Sequence, residues 1–372
     1  MVKLVLSERE LGQLFVMMML AAVLFGVSGL VGMLVMQWVT RQRYAKDNID
    51  KHGISRIDAS RLGGAVILGL SLCFLFVRFA AGYQFSDVGP LGIQLWGWTA
   101  FLLSSGLGLI EDIDNDLLSP RSRLAILGLF FGLTFLVWPE TIPNNIGYQP
   151  IDWIMSQPAI GWVLAVVFCV GFINAINMAD GANGLVPGIV FLSSIIFHSV
   201  TGAFVWEVLS IVTGVFLLFN VISGRLFLGD AGSYGLGTIL VLGSFYAVNT
   251  HWISVEFAAV MMSYPCIEIL MSMVRRAVSG CSMLKPDNQH LHNKIYDRLR
   301  SRAKSEVLAN SATGLLVAGA STGVAFLGNY MGWLSPLDEA WGWVFCVQVM
   351  AYLITYTLLS RSAPVATNLA TD

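Results

Sequence analysis

Residues 11–40 read LGQLFVMMMLAAVLFGVSGLVGMLVMQWVT, a run with no Asp, Glu, Lys or Arg. A helix needs about 20 mostly apolar residues to cross the hydrocarbon core of a bilayer, so this run spans one with residues to spare. It is too long for a signal-peptide core and lacks a small-residue cleavage site, which predicts a retained helix. Working outward, the same test finds charge-free stretches at 88–110, 153–179, 181–206, 231–255, 307–337 and 340–360. Shorter or interrupted ones lie at 62–82 (Arg78), 124–138, 208–223 and 253–274 (Glu256 and Glu268). The expected fold is all-α: a polytopic integral membrane protein with about 11 transmembrane helices. The stretches 124–138 and 208–223 are the marginal ones, because they barely span.

Composition agrees. Of 372 residues, 56% are hydrophobic and only 12% are charged, against about 25% charged in soluble domains. A net charge of −2 without a basic domain excludes disorder and nucleic-acid binding. The five cysteines form no C-x-x-C pair, so neither a disulfide framework nor a cysteine metal site is indicated. No stretch reads as a separate soluble domain, and residues 1–372 are expected to form a single transmembrane domain.

The bias of Lys and Arg among the loops orients the helices. Of 21 such residues, 18 fall in the connections after odd-numbered helices or after the last one, and none falls after an even-numbered helix. The cytoplasmic loops are therefore 41–61, 111–123, 179–183, 224–230 and 275–306, with the N-terminus outside and the C-terminus cytoplasmic. The longest outer connection, 139–158, reads as an ordered or partly amphipathic loop.

Four polar clusters map to that one face. Gly108 to Asp116 (GLIEDIDND) places Glu111, Asp112, Asp114 and Asp116 at a helix C-terminus, where the macrodipole disfavours negative charge. They are either a solvated acidic turn or a site for a divalent cation or cationic partner. Asn174 to Gly184 (NAINMADGANG) sets Asn174, Asn177 and Asp180 three apart on one helix face. Turn chemistry explains residues 180–184 but not two amides at the membrane boundary. In Leu228 to Ser233 (LGDAGS), Asp230 either N-caps the next helix or stands where Gly229 and Gly232 let a phosphate approach backbone N–H groups. His290 and His292 lie in a loop carrying eight Lys/Arg, which also suits anionic lipid headgroups. Acids, amides, glycines and histidines gathered at one boundary point to metal-assisted chemistry on an anionic substrate. Mg²⁺ suits carboxylates plus substrate phosphates best, with Mn²⁺ as its substitute, and Zn²⁺ lacks further N/S ligands.

These motifs, in this order, resemble the polyprenyl-phosphate N-acetylhexosamine-1-phosphate transferases along essentially the whole chain. Ser60-Arg61-Leu62-Gly63-Gly64 is similar to that family's entry into helix 2, and Glu111-Asp112 falls where the family usually has Asp-Asp. Asn174–Gly184 matches N-x-x-N-x-x-D-G-x-(D/N)-G, Gly229–Ser233 matches G-D-x-G-S, and Asp287–Asn293 resembles D-x-x-H-x-H-H. Two departures stand out. Glu111 is one methylene longer than Asp, and Asn293 replaces a final histidine and cannot serve as an acid or base near neutrality.

The resemblance implies transfer of a sugar-1-phosphate from a UDP-N-acetylhexosamine to undecaprenyl phosphate, releasing UMP, at the cytoplasmic face of a bacterial inner membrane. Asn115 in place of a lysine, and His-Leu-His-Asn in place of three histidines, set the chain nearer the branch that uses UDP-GlcNAc and starts O-antigen-like polysaccharides. By the same resemblance, Asp230 and Asp112 are metal ligands, and Glu111 and Asp112 organise metal, phosphate or nucleophile. Asp180 works with Asn174 and Asn177 on the nucleotide or pyrophosphate, and Asn183, Gly232 and Ser233 bind substrate. His290 and His292 contact phosphate or sugar, and Arg61 the lipid phosphate. Membrane lipids surround the chain, and a homodimer is implied by resemblance alone.

Pro265 is expected to kink helix 253–274 and open a groove for the isoprenoid chain. Glu268 either faces that cleft or is an interfacial carboxylate near Arg275. Two other classes remain open: a secondary transporter using Arg78, Glu256 and Glu268, and a non-catalytic scaffold.

Overall fold

A computed structural model of the chain describes residues 8–42, 59–82, 91–114, 117–280 and 288–362. Asn115, Asp116, Asp287 and most of the loop 41–61 lie outside the described residues. Among them the chain is helical, with one isolated bridge between Ser60 and Leu226 as the sole β pairing. The helices are α1 (Glu8–Val39), α2 (Gly63–Ala80), α3 (Leu91–Ile113), α4 (Pro120–Val137), α5 (Gln149–Met155), α6 (Pro158–Ala179), α7 (Leu185–Thr201) and α8 (Phe204–Ser223). They continue with α9 (Gly229–Asn249), α10 (Val255–Met261), α11 (Ser263–Val278), α12 (Leu291–Arg300), α13 (Glu306–Ala320), α14 (Thr322–Tyr330) and α15 (Trp341–Ser362).

Every apolar stretch marked in the sequence falls on one of these helices or on a bent pair. Among the described residues, seven helices are long and apolar enough to cross a membrane, or up to nine if each bent pair is one span. The two marginal stretches gain length, because charge-free counting cut them short. Arg121 and Arg123 lie inside α4, whose N-cap Ser119 accepts the Ser122 N–H at 3.1 Å, and Glu207 lies in the first turn of α8. The outer connection carries a 3-10 turn at Pro139–Thr141 and the short helix α5.

The core is built on α9, which packs against α2, α3, α6 and α7 and is buried over 83% of its apolar window. The lipid-facing α15 is buried over 6%. In a bilayer, apolar contact alone does not drive helices together, so close approach by small residues matters more. A Cβ on Gly64 of α2 would stand 1.9 Å from the Gly232 nitrogen, and one on Gly108 of α3 would stand 2.2 Å from the Asp230 carbonyl oxygen. The N-terminus of α9 is thereby clasped between α2 and α3.

The expected kink is a full break, and it falls before the proline. α10 and α11 meet at 76° around Met262, and α13 and α14 at 54° around Ser321. Pro265 sits in the first turn of α11, where its missing N–H has no intrahelical acceptor to lose. Inside a membrane, broken backbone must be satisfied by protein. The two breaks satisfy each other. Thr322 Oγ1 donates to the Met261 carbonyl at 2.7 Å, the Tyr264 N–H donates to Ser321 Oγ at 3.2 Å, and Gln348 of α15 donates to the Ala320 and Ser321 carbonyls.

Beside the break runs an apolar groove of about 600 Å³ between α6, α9 and α10–α11, lined by residues such as Phe168, Phe172, Phe245, Ala259 and Cys266. The charges a transporter would need in one path lie apart. Arg78 pairs with Glu207, Glu256 accepts the Tyr148 hydroxyl at 2.8 Å, and Glu268 is enclosed by α12 and α15.

The clasp on α9 predicts contrasting effects of two alanines on one helix. Gly64→Ala should cost about 3 kcal/mol through overpacking, whereas Gly69→Ala, with nothing within 4 Å, should leave stability unchanged or slightly raised. Thermal unfolding of the detergent-solubilised protein reads both. Equal midpoints for the two variants would contradict the close α2–α9 contact.

Candidate active site

Residues 60–64 are zipped to the strand-like stretch before α9 by backbone bonds: Ser60 N–H to Arg225 O (3.0 Å), Phe227 N–H to Ser60 O (2.8 Å), Gly63 N–H to Phe227 O (3.0 Å) and Gly64 N–H to Leu228 O (2.7 Å). This pairing delivers Arg61 to the start of α9. There its guanidinium lies 3.4 Å from Asp112 and 3.9 Å from Asp230.

Asp112, at the end of α3, is 1% exposed and caps a helix other than its own. Its two carboxylate oxygens accept the N–H groups of Asp230 (3.0 Å) and Ala231 (2.9 Å). Those are the free donors of the α9 N-terminus, where negative charge is favoured. Two expectations change as a result. Asp230 does not N-cap α9, since it is the second helical residue and Leu228 precedes the helix. Nor are these two N–H groups open to a phosphate, because Asp112 already holds them.

Asp230 is instead directed across to α6. Asn177 Nδ2 donates to Asp230 Oδ1 at 2.7 Å and to Ser233 Oγ at 2.9 Å. Asp180 caps the end of α6 within the field of the same acids. Burial, and then the charges of Asp230 and Asp112, push its carboxyl well above the usual range, against the opposing pull of Arg61 and the Gly229 N–H. Three carboxyl groups thus crowd around the Arg61 guanidinium, and their mutual repulsion adds to burial in favouring a proton on Asp180.

Other expected residues serve the frame around this centre. Asn174 turns back to the Val170 carbonyl at 2.8 Å. Asn183 is buried in the turn after α6. Its N–H donates to Asn310 Oδ1 (2.8 Å), and Asn220 donates to its side-chain oxygen (3.4 Å) and accepts the Gly184 N–H (2.7 Å). Gly184 sits at φ +81°, where a side chain would be strained. Glu111 turns away from Asp112: it accepts the Leu118 N–H at 3.1 Å and lies 3.4 Å from Arg123. Arg123 in turn reaches Tyr234 at 3.5 Å, one turn beyond Asp230 on α9. Gly232 lies against Gly64, and Ser233 is buried.

The histidines belong to the same assembly. A Cβ on Gly181 would stand 2.2 Å from His292 Nε2, so that ring lies on the backbone next to Asp180. Its Nδ1 is 2.7 Å from the Tyr264 hydroxyl, and its ring stacks with that of His290 at 5.5 Å. His290 Nδ1 lies 3.0 Å from Glu268, which also pairs with Arg275 at 3.2 Å. Of the two expectations for Glu268, the contact with Arg275 is present, and the carboxylate faces α12 and α15 rather than an open cleft. Arg123, Tyr234, Tyr264, Tyr352, Asn220 and Asn310 had no signal in any loop motif. Only the i+4 spacing of Tyr234 from Asp230 was readable.

Burial, reinforced by the charge of His290 and opposed by Glu268, depresses the His292 imidazolium from its ordinary value to about 3. Below pH about 6.5 the unfolded chain therefore takes up a proton that the folded chain refuses, and folding stability falls as pH falls towards that value. The loss should reach about 2 kcal/mol between pH 6.5 and pH 5. His292→Gln should flatten this part of the stability–pH curve, read by thermal unfolding in detergent. Parallel curves for the two proteins would refute a buried neutral His292.

Known proteins resemble this chain. The glycosyl transferase family 4 profile matches residues 95–248, which hold α3 to α9 and the Asp112–Asp180–Asp230 centre. The chain is 32% identical over 257 residues to the undecaprenyl-phosphate α-N-acetylglucosaminyl 1-phosphate transferase of Thermotoga maritima, covering 68% of this chain and 75% of that one. To the enzyme of the same name from Escherichia coli K12 it is 29% identical over 200 residues, covering 50% of this chain and 54% of that one. To the phospho-N-acetylmuramoyl-pentapeptide-transferase of Streptococcus thermophilus it is 30% identical over 218 residues, covering 54% and 62%. The chain thus matches between about half and three quarters of the length of these relatives. It belongs to glycosyl transferase family 4.

Proposed function

We propose that the protein transfers N-acetylglucosamine-1-phosphate, or a closely related N-acetylhexosamine-1-phosphate, from its UDP-sugar to undecaprenyl phosphate with release of UMP. The observation that carries this is the meeting of Asp112, Asp180, Asp230 and Arg61 at the shared ends of α2, α3, α6 and α9, with an apolar groove between α6, α9 and α10–α11. The names of the relatives supply the two substrates. The chemistry of the site agrees with them, since a lipid acceptor needs a membrane groove and a nucleotide donor needs an aqueous face.

The lipid phosphate oxygen attacks the sugar-bearing phosphorus, and the bridging oxygen leaves with UMP. Phosphoryl transfer of this kind depends mainly on positioning and on stabilising charge. Among the described residues no three His, Cys, Asp or Glu side chains are placed to enclose a metal by themselves. Mg²⁺ does not need such a cage, because it is bound by one or two carboxylates with substrate phosphates completing the set. Asp230, expected together with Asp112 to hold the metal, fits that role, and Asp112 stands beside it with its oxygens on the α9 N–H groups. Asp180 is a further donor, since a cation there would offset the charges of Asp230 and Asp112 that act on it. Bound there, Mg²⁺ or Mn²⁺ would neutralise charge on the pyrophosphate.

Asp112 holds the α9 N-terminus, and with it Asp230, in place. Asn177 orients Asp230, Arg61 balances the acids beside the phosphates, and His290 and His292 meet phosphate or sugar. The groove beside α10–α11 takes the isoprenoid chain. By this reading the site faces the cytoplasm of a bacterial inner membrane, and the product starts a lipid-linked surface polysaccharide such as O-antigen. The homodimer rests on the family resemblance.

Purified protein with undecaprenyl phosphate, Mg²⁺ and UDP-GlcNAc should release UMP. Chelation should stop the release, added Mg²⁺ should restore it, and Asp230→Asn should lower kcat by at least about 10³-fold, in line with loss of a main charge-stabilising group. A folded wild-type protein that releases no UMP from any UDP-N-acetylhexosamine would overturn the reading.

A further inference from the structure

Glu268 of α11 is fully buried, at 0% exposure, and the reaction described above gives it no part. Its carboxylate is surrounded by donors. Arg275 (3.2 Å) and His290 Nδ1 (3.0 Å) meet Oε1, while the Leu291 N–H (2.9 Å), the Tyr352 hydroxyl (2.8 Å) and the Tyr264 hydroxyl (3.4 Å) meet Oε2. An ionised carboxylate has no hydrogen to give, so its bond to His290 requires a proton on Nδ1. Nε2 is then the ring nitrogen left to meet a ligand. The ring has little freedom, because it stacks on His292 at an interplanar angle of 16° and the backbone beside it is tied to the same carboxylate through Leu291.

We propose that Glu268 is a positioning residue for the transfer reaction. It holds His290 with Nδ1 protonated and Nε2 turned to the phosphate or sugar of the UDP-sugar, and Tyr352 of the last helix fixes the carboxylate in that pose. The proposal rests on the transferase reading given above. The chemistry demands an acid here and not its amide. A glutamine would turn its NH₂ group either towards Arg275 and His290, where His290 escapes the clash by moving its proton to Nε2, or towards the Leu291 N–H, a backbone donor that cannot turn away. Orientation of an imidazole by a buried carboxylate is a recurring catalytic device, in which the amide variant keeps the shape and loses the tautomer.

A double-mutant cycle reads this directly. UMP release is measured as kcat and KM for wild type, Glu268→Gln, His290→Asn and the double variant, with folding checked by elution volume and thermal unfolding. His290→Asn keeps a donor for Glu268 and removes the outward nitrogen. Glu268→Gln should lower kcat about 100-fold with KM changed less than about threefold, and should cost nothing further in the His290→Asn background. An unchanged kcat in Glu268→Gln, or the same full loss in both backgrounds, would overturn the proposal. Should Glu268→Gln fail to fold, Tyr352→Phe takes its place in the cycle. A loss of kcat that vanishes in the His290→Asn background then supports the proposal, and a loss that persists there rejects it. Wild type without UMP release sinks the transferase reading itself, whereas an active wild type with additive losses sinks only the role given to Glu268.

Discussion

Two hydrogen bonds from the first turn of α9 to the carboxylate of Asp112 hold the acidic centre together. They join the end of one membrane helix to the start of another, and they do so without water. Each donor is a backbone N–H that its own helix cannot satisfy, and the two oxygens of one carboxyl group take one donor each. Because α9 is the helix around which α2, α3, α6 and α7 pack, fixing its N-terminus fixes the place of Asp230 relative to Asn177 and Asp180 on α6. Glycines 64 and 108 are the steric counterpart of the same constraint. Bulk at either would lift α2 or α3 away and draw Arg61 or Asp112 out of reach.

Glu268 repeats the device at α12. Its carboxylate accepts the Leu291 N–H in the first turn of that helix, just as Asp112 serves Asp230 and Ala231. A chain with so few charges, most of whose surface faces lipid, can bury a carboxylate only where several donors converge. Helix N-termini supply such donors ready-made. The result is that two structural carboxylates also set the position of other polar groups, Asp230 in one case and the paired histidines in the other. Residues expected from their motifs to act on substrate divide accordingly. Asp230, Asp180, Asn177 and Asp112 meet at the centre, where Asp112 also holds the α9 backbone, while Asn183 and Glu111 hold the backbone or another side chain around it.

The parts of this arrangement written in local sequence were legible from it. Long charge-free runs marked each long apolar helix, and short motifs rich in Asp, Asn, Gly and His marked the loops that build the site. Those signals exist because charge in a membrane and glycine at a tight approach are both costly to place elsewhere. Contacts made across helices left no such mark. Tyr264, Tyr352, Asn220 and Asn310 sit in ordinary helical stretches, and only packing reveals that they meet Glu268, His292 or Asn183. Counting by charge also shortened α4 and α8, since a helix end near the membrane surface tolerates Arg or Glu. The position of the break in 253–274 was misplaced for a related reason. Proline marks a missing donor, but the chain bends at Met262, where Ser321 and Thr322 of a distant helix pair stand ready to satisfy the open backbone.

That break explains how one helix serves two very different environments. A straight helix through 255–278 would carry one lipid-facing stripe along its length. The 76° turn at Met262 lets α10 line the groove while α11 leaves it towards α12 and α15. On α11 itself, Cys266 lines the groove and Glu268, two residues on, points to the opposite side, as successive positions at about 100° apart require. The wall of the apolar channel and the support of the histidine pair are therefore one rigid turn of helix. An isoprenoid chain seated against Cys266 would press on the element that orients His290, so the position of the lipid and the aim of the histidine share a common mechanical part. In this geometry a protein that must bring a membrane-bound phosphate to a soluble nucleotide needs no separate domain for either. The same broken helix, held open by Ser321 and Thr322, lines the apolar groove on one side and supports the histidine pair on the other.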